Sequence, residues 1–88
     1  MYAILYSKQA EKSFLKLSDK KTRLRVKKTV DSLSQDPRKI GVIKLKVTVI
    51  APYRYCVGNY RILFDVDDEK RQILIYDIRK RDEETYRF

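Results

Sequence analysis

Tyr53-Arg54-Tyr55-Cys56-Val57-Gly58-Asn59-Tyr60-Arg61-Ile62-Leu63-Phe64 decides how this chain folds. Two β-rich runs flank Gly58-Asn59, a two-residue loop of the primed-turn kind that reverses a strand on itself. With that loop, Val57 lies opposite Tyr60 and Cys56 opposite Arg61. Side chains alternate along a strand, so Tyr55, Val57, Tyr60, Ile62, Phe64 and Val66 share one apolar face. Arg54, Cys56, Arg61 and Leu63 occupy the other. The apolar face must be covered, and the arginine face is left for solvent or a ligand.

What covers it lies upstream. Tyr2 to Tyr6 reads as a short strand. Ser7 can cap a helix over Lys8 to Leu17, where Ala10, Phe14 and Leu17 recur at helical spacing. Asp19 is the natural cap of a second helix running to about Ser34, with Val26, Val30 and Leu33 on one side and Leu24 off it. Asp36-Pro37 stops that helix, because proline disfavours helical dihedrals in the residue before it. Two adjacent helices with a short joint form a helical hairpin. Val42 to Ile50 is β-branched and ends before Pro52. The polar loop Asp67-Asp68-Glu69-Lys70 leads into a last strand, Arg71 to Ile78. A loop that pairs Val66 with Arg71 would set Tyr76 opposite Arg61. The expectation is one α+β domain over residues 1–88, a small twisted antiparallel sheet with an N-terminal helical hairpin packed on one face.

Composition narrows the chemistry. The 88 residues carry 21 Lys+Arg against 12 Asp+Glu, a formal charge of +9 with no histidine. Such a field favours a polyanion or an acidic protein partner. The single cysteine excludes an internal disulfide, and without histidine an ordinary zinc site is not expected; no cofactor is implied. No apolar run approaches transmembrane length and no signal-peptide pattern opens the chain, so a cytoplasmic protein without membrane contact is expected. Residues 1–40 hold eleven Lys/Arg and four Asp/Glu, whereas residues 41–88 hold ten and eight. The excess therefore sits on the helices, in Lys20, Lys21, Arg23, Arg25, Lys27 and Lys28. That run reads first as a solvated helix face and second as a phosphate-tracking surface.

The arginine face is the sharper feature. Arginine binds phosphate in bidentate fashion and stacks on bases, and tyrosine adds a stacking plane and a phenol. Arg54, Arg61 and Tyr76, with Arg79, Lys80 and Arg81 at the strand's end and Tyr86 just beyond, together suit RNA better than a metal or a small neutral substrate. Cys56 reads as a small hydrophobe rather than a nucleophile.

The pattern Tyr-Arg-x-x-Val-Gly-x-Tyr-Arg-Ile, preceded by Lys44-Leu45-Lys46 and closed by Arg79-Lys80-Arg81 with Tyr86-Arg87, resembles the RelE/ParE superfamily of bacterial and archaeal toxins over most of the chain. RelE-like members cleave mRNA in the ribosomal decoding site, whereas ParE-like members share the fold and poison DNA gyrase. The resemblance implies a toxin of a type II toxin–antitoxin system, a ribosome-dependent endoribonuclease that inhibits translation without metal. By position it implies catalytic roles for Arg54, Arg61, Arg81 and Tyr86, and RNA binding by Lys44, Lys46, Tyr76, Arg79 and Lys80. It also implies an acidic RelB-like antitoxin in a hetero-oligomer, with ribosome and mRNA as the other partners. The alternatives are a ParE-like gyrase inhibitor and an inactive basic nucleic-acid-binding module. Two departures stand out. Cys56 replaces a residue that is basic in many relatives, which implies a slower catalyst, and Arg81 stands near where a histidine is common.

Overall fold

The computed structural model describes residues 1–17, 19–39, 41–45 and 51–80. Seven elements follow one another: β1 (Ala3–Tyr6), α1 (Lys8–Leu15), α2 (Lys20–Gln35), β2 (Ile43–Lys44), β3 (Tyr53–Val57), β4 (Tyr60–Asp67) and β5 (Gln72–Lys80). The five strands form one sheet in the order β1-β5-β4-β3-β2. The α+β architecture is the expected one, with one difference. β1 runs parallel to β5, so the sheet is mixed. The helical pair carries the chain from one end of the sheet to the other, and that long connection lets β1 join an edge without a hairpin.

Local chemistry sets each boundary. Ser7 Oγ accepts from Ala10 N at 3.0 Å and donates to the Tyr76 carbonyl at 2.7 Å, so one hydroxyl caps α1 and pins it to β5. Asp19 accepts from Lys21 N at 3.0 Å and from Thr22 Oγ1 at 3.1 Å at the start of α2. Asp36, extended at φ −151°, ends that helix. Gly58 turns the β3–β4 hairpin with φ +57°, and Asn59 needs no positive φ, the pattern of a II′ turn.

One apolar core lies between helices and sheet. Ala10 and Leu17 of the first helical segment, Val26, Val30 and Leu33 of α2, and Ile62, Phe64, Ile73, Ile75 and Ile78 of the sheet are all buried in it. Tyr53, Tyr55, Val57, Tyr60 and Val66 pack against its margin. Apart from the β1 pairing, the hairpin face assigned from alternation is the face that receives the helices.

A clasp closes the opposite corner. The Arg38 guanidinium grips the Asp68 carboxylate at 3.2 and 2.8 Å, and Tyr2 Oη donates to the same carboxylate at 2.7 Å. These bonds tie the connection after α2 to the β4–β5 turn. Nearby, Lys39 Nζ sits 4.6 Å from the Tyr55 ring centroid, and Gly41 passes so close to that ring that a Cβ would meet Tyr55 Cε1 at 2.8 Å.

Candidate functional site

The face away from the helices is built by β2 to β5. Cys56 pairs with Arg61, and Arg61 pairs in turn with Arg79. The next row is Ile43, Arg54, Leu63 and Asp77. Directly opposed residues hold their Cβ atoms about 5 Å apart and diagonal ones about 7–8 Å. Arg61 and Arg79 therefore emerge side by side, and Arg54 stands one diagonal step away. The register thus sets Arg54, Arg61 and Arg79 on one face of the sheet.

The three are held differently. Arg79 Nε donates to Asp77 Oδ2 at 2.7 Å. Asp77 is 4% exposed, and its other oxygen accepts from Ser13 Oγ at 2.6 Å and from Ile78 N at 2.8 Å. One carboxylate thus links α1, the β5 backbone and an arginine of the open face. Arg54 Nε is buried and meets no hydrogen-bond partner among the described residues. An unmet buried donor is costly unless something arrives to accept from it. Leu63, 2% exposed, stands in the second row between Arg54 and Asp77, outside the main core.

Asp77 escaped the reading of the sequence, although a signal existed. It is an acid inside a strand whose neighbours Ile73, Ile75 and Ile78 are all core residues. A β-bulge between Leu63 and Phe64 explains its position. Beyond the bulge the register shifts by one, and Asp77 can reach Ser13 of α1. The same irregularity corrects the placement of Tyr76. The turn pairs Asp67 with Gln72, with Arg71 in the left-handed region at φ +55°. Arg79 rather than Tyr76 then faces Arg61, and Tyr76 falls in the bulge.

Not every expected cation joins the patch. Lys44 pairs with Tyr53, which places it on the helix side of the sheet at its edge. Lys80 pairs with Tyr60 and lines a cleft of ≈ 430 Å³ beside α1 that it shares with Arg79, Asp77, Ser13 and Lys16. Cys56 is exposed beside Arg61 and so has no part in the core. Lys46, Arg81 and Tyr86 lie outside the described residues, as does the second half of the strand expected over residues 42–50. Among the described residues no group of three His, Cys, Asp or Glu could hold a metal ion, and no helix is long and apolar enough to cross a membrane.

Residues 4–85 match the family described as ParE toxin of the type II toxin–antitoxin system parDE. The chain belongs to the RelE/ParE toxin superfamily. Its fold agrees. The isolated RelE toxin of E. coli superposes with a TM-score of 0.78 at 25% identity, over 98% of this chain and 92% of that one. A chain of the archaeal RelE–RelB complex from Pyrococcus horikoshii gives 0.76 at 29% identity, over 93% and 97%. A chain of the RelBE2 toxin–antitoxin complex from Mycobacterium tuberculosis gives 0.79 at 22% identity, over 91% and 98%, a likeness of fold. Comparison with curated proteins gives no significant match. This RelE/ParE toxin thus carries an arginine cluster on the sheet face that its helices leave open.

Proposed function

We propose that this RelE/ParE toxin is a ribosome-dependent endoribonuclease that cleaves mRNA in the decoding site. The observation that carries the reading is the juxtaposition of Arg61 and Arg79 with Arg54 one diagonal away. Arg61 and Arg79 are like charges directly opposed, which disfavours a sheet even with Arg79 tied to Asp77, and the same arrangement is useful for a phosphate.

The reaction is a transesterification. The 2′-hydroxyl loses its proton and attacks the adjacent phosphorus, the bond to the 5′-oxygen breaks, and that oxygen takes up a proton. The products are a 2′,3′-cyclic phosphate, or its 3′-phosphate hydrolysis product, and a 5′-hydroxyl. Arg54 and Arg61 stabilise the charge that gathers on the equatorial oxygens of the phosphorane. Arg81 neutralises charge on the leaving side, since a guanidinium does not give up its proton readily. The general base that takes the proton is one of Lys46, Lys80 and Tyr86. Without histidine, much of the rate comes from the ribosome holding the message in line for attack. Cleavage of free RNA is therefore weak.

The protein works in the cytoplasm and is restrained by an acidic antitoxin of the RelB type. Its charge of +9 and the toxin–antitoxin complexes among its structural relatives support that partner. Substituting Arg81 or Tyr86 by alanine is expected to abolish growth inhibition. Toxicity that survives both changes would refute the nuclease reading. One observation favours a second reading, inhibition of DNA gyrase without catalysis: the matching family description is that of ParE. Inhibition of supercoiling by protein that leaves programmed ribosomes intact would select it.

A further inference from the structure

The basic run of α2 has a property that a merely solvated helix face lacks. Lys20, Lys21, Arg23, Arg25, Lys27 and Lys28 are all exposed, and they occupy the first half of α2, about 12 Å of helix. The helix dipole makes that end positive already; the Asp19 cap offsets it in part, but the first turn itself holds no acidic residue. Cations there oppose the dipole. They also repel one another at three- and four-residue spacings, as in Lys21 with Arg25 and Arg25 with Lys28. Relief is limited: Lys27 meets Asp31 at 4.0 Å with both side chains 63% exposed, and Arg23 Nε donates to the Leu17 carbonyl. Lys20, Lys21, Arg25 and Lys28 make no ion pair with any described residue. The helix keeps this charge against its own stability.

The run is also continuous with the arginine face. The Arg25 guanidinium lies over the β3–β4 turn, where a Cβ on Gly58 would sit 3.4 Å from its Nη1. That turn is the tip of the hairpin bearing Arg54 and Arg61. Cationic surface therefore runs from α2, across the hairpin tip, onto the open sheet face.

We infer that the exposed face of α2 is a second nucleic-acid contact, which grips the phosphate backbone of folded, double-stranded RNA while the arginine face takes the single strand. The inference rests on the proposed function only in taking RNA as the polyanion. The residue types favour phosphate over an acidic protein. Four of the six cations are lysines, which are depleted in protein interfaces and serve well as point charges for phosphates. Within the run itself Leu24, 56% exposed, is the lone exposed apolar side chain.

The test uses the whole chain, an RNA duplex of about 16 base pairs, a polyglutamate peptide, and anisotropy titrations across a salt series. The variant combines Lys20→Gln, Lys21→Gln, Arg25→Gln and Lys28→Gln. It should bind the duplex at least about tenfold more weakly, with a log–log salt slope shallower by about three. Its melting temperature should equal or exceed that of the parent, because repulsion is removed, so lost binding cannot be ascribed to unfolding. Lys70→Gln, at an exposed cation of the β4–β5 turn, should leave duplex binding nearly intact. Unchanged affinity and slope in the fourfold variant would overturn the inference. So would a loss confined to the peptide, which would point to an acidic protein instead. Binding is read without cleavage, so a chain that binds duplex through α2 yet cuts no message would refute the nuclease reading alone.

Discussion

Arg61 and Asp77 show what a single residue decides in this toxin. Arg61 was visible from alternation alone, because a two-residue turn at Gly58-Asn59 fixes which side chains point away from the core. The structure adds Arg79 as its cross-strand neighbour. Replacing Arg61 by glutamine is expected to lower single-turnover cleavage on programmed ribosomes by about 10²–10³-fold, the usual cost of losing one donor to a developing oxyanion. Asp77 was not legible, because its role depends on a bulge that no spacing announces. Its carboxylate holds Arg79 at 2.7 Å and Ser13 at 2.6 Å. Asp77→Asn keeps the volume and weakens both contacts. A loss of about 1–3 kcal/mol in denaturant unfolding is expected, with weaker cleavage at temperatures where the variant remains folded. A variant as stable as the parent would show that the link between α1 and the arginine face carries no energy.

Among the elements, the helices and the hairpin followed from local rules, and the edges of the sheet did not. Ser7, Asp19 and Pro37 mark helix ends through hydrogen bonds and sterics that act within a few residues, and the observed ends agree. The partner of β1 is set by a contact between distant parts of the chain, which no local pattern encodes, so its parallel pairing with β5 was missed. Ser7→Ala should cost about 1 kcal/mol by the loss of the cap alone, and more because the same hydroxyl bonds the Tyr76 carbonyl. A melting curve that does not move would show that α1 needs no cap. The clasp at Asp68 makes a different prediction. Hydrogen bonds from Arg38 and then Tyr2 hold its carboxyl below the ordinary carboxylate value of 3.8. A depressed folded pKa means that the stabilisation is complete above the unfolded value and disappears as pH falls through the folded one. Acid below about pH 4 should therefore loosen the loop around Arg38 before the core opens. Amide exchange of that loop, compared at neutral and acid pH, reads it out, and equal protection would contradict it.

For the molecule as a whole, charge and topology act together. Helices cover one face of the sheet and leave the arginines on the other, while the excess charge of the first forty residues sits on α2, joined to that face at the hairpin tip. Composition alone announced a polyanion-directed protein. It took the register of four strands to show that Arg54, Arg61 and Arg79 share one face and that Lys44 lies on the other. Association with ribosomes should fall steeply with added salt, as expected for a surface that displaces counterions from phosphates; an affinity indifferent to salt would contradict a phosphate-bound mode. The most direct measurement is to incubate the purified, folded toxin with a defined mRNA, in the presence and absence of ribosomes, and to map the new 5′ ends by primer extension. Cuts within the decoding-site codon, bearing 5′-hydroxyls and appearing only with ribosomes, are the result predicted. Intact message on programmed ribosomes, from protein that still halts growth, would contradict it.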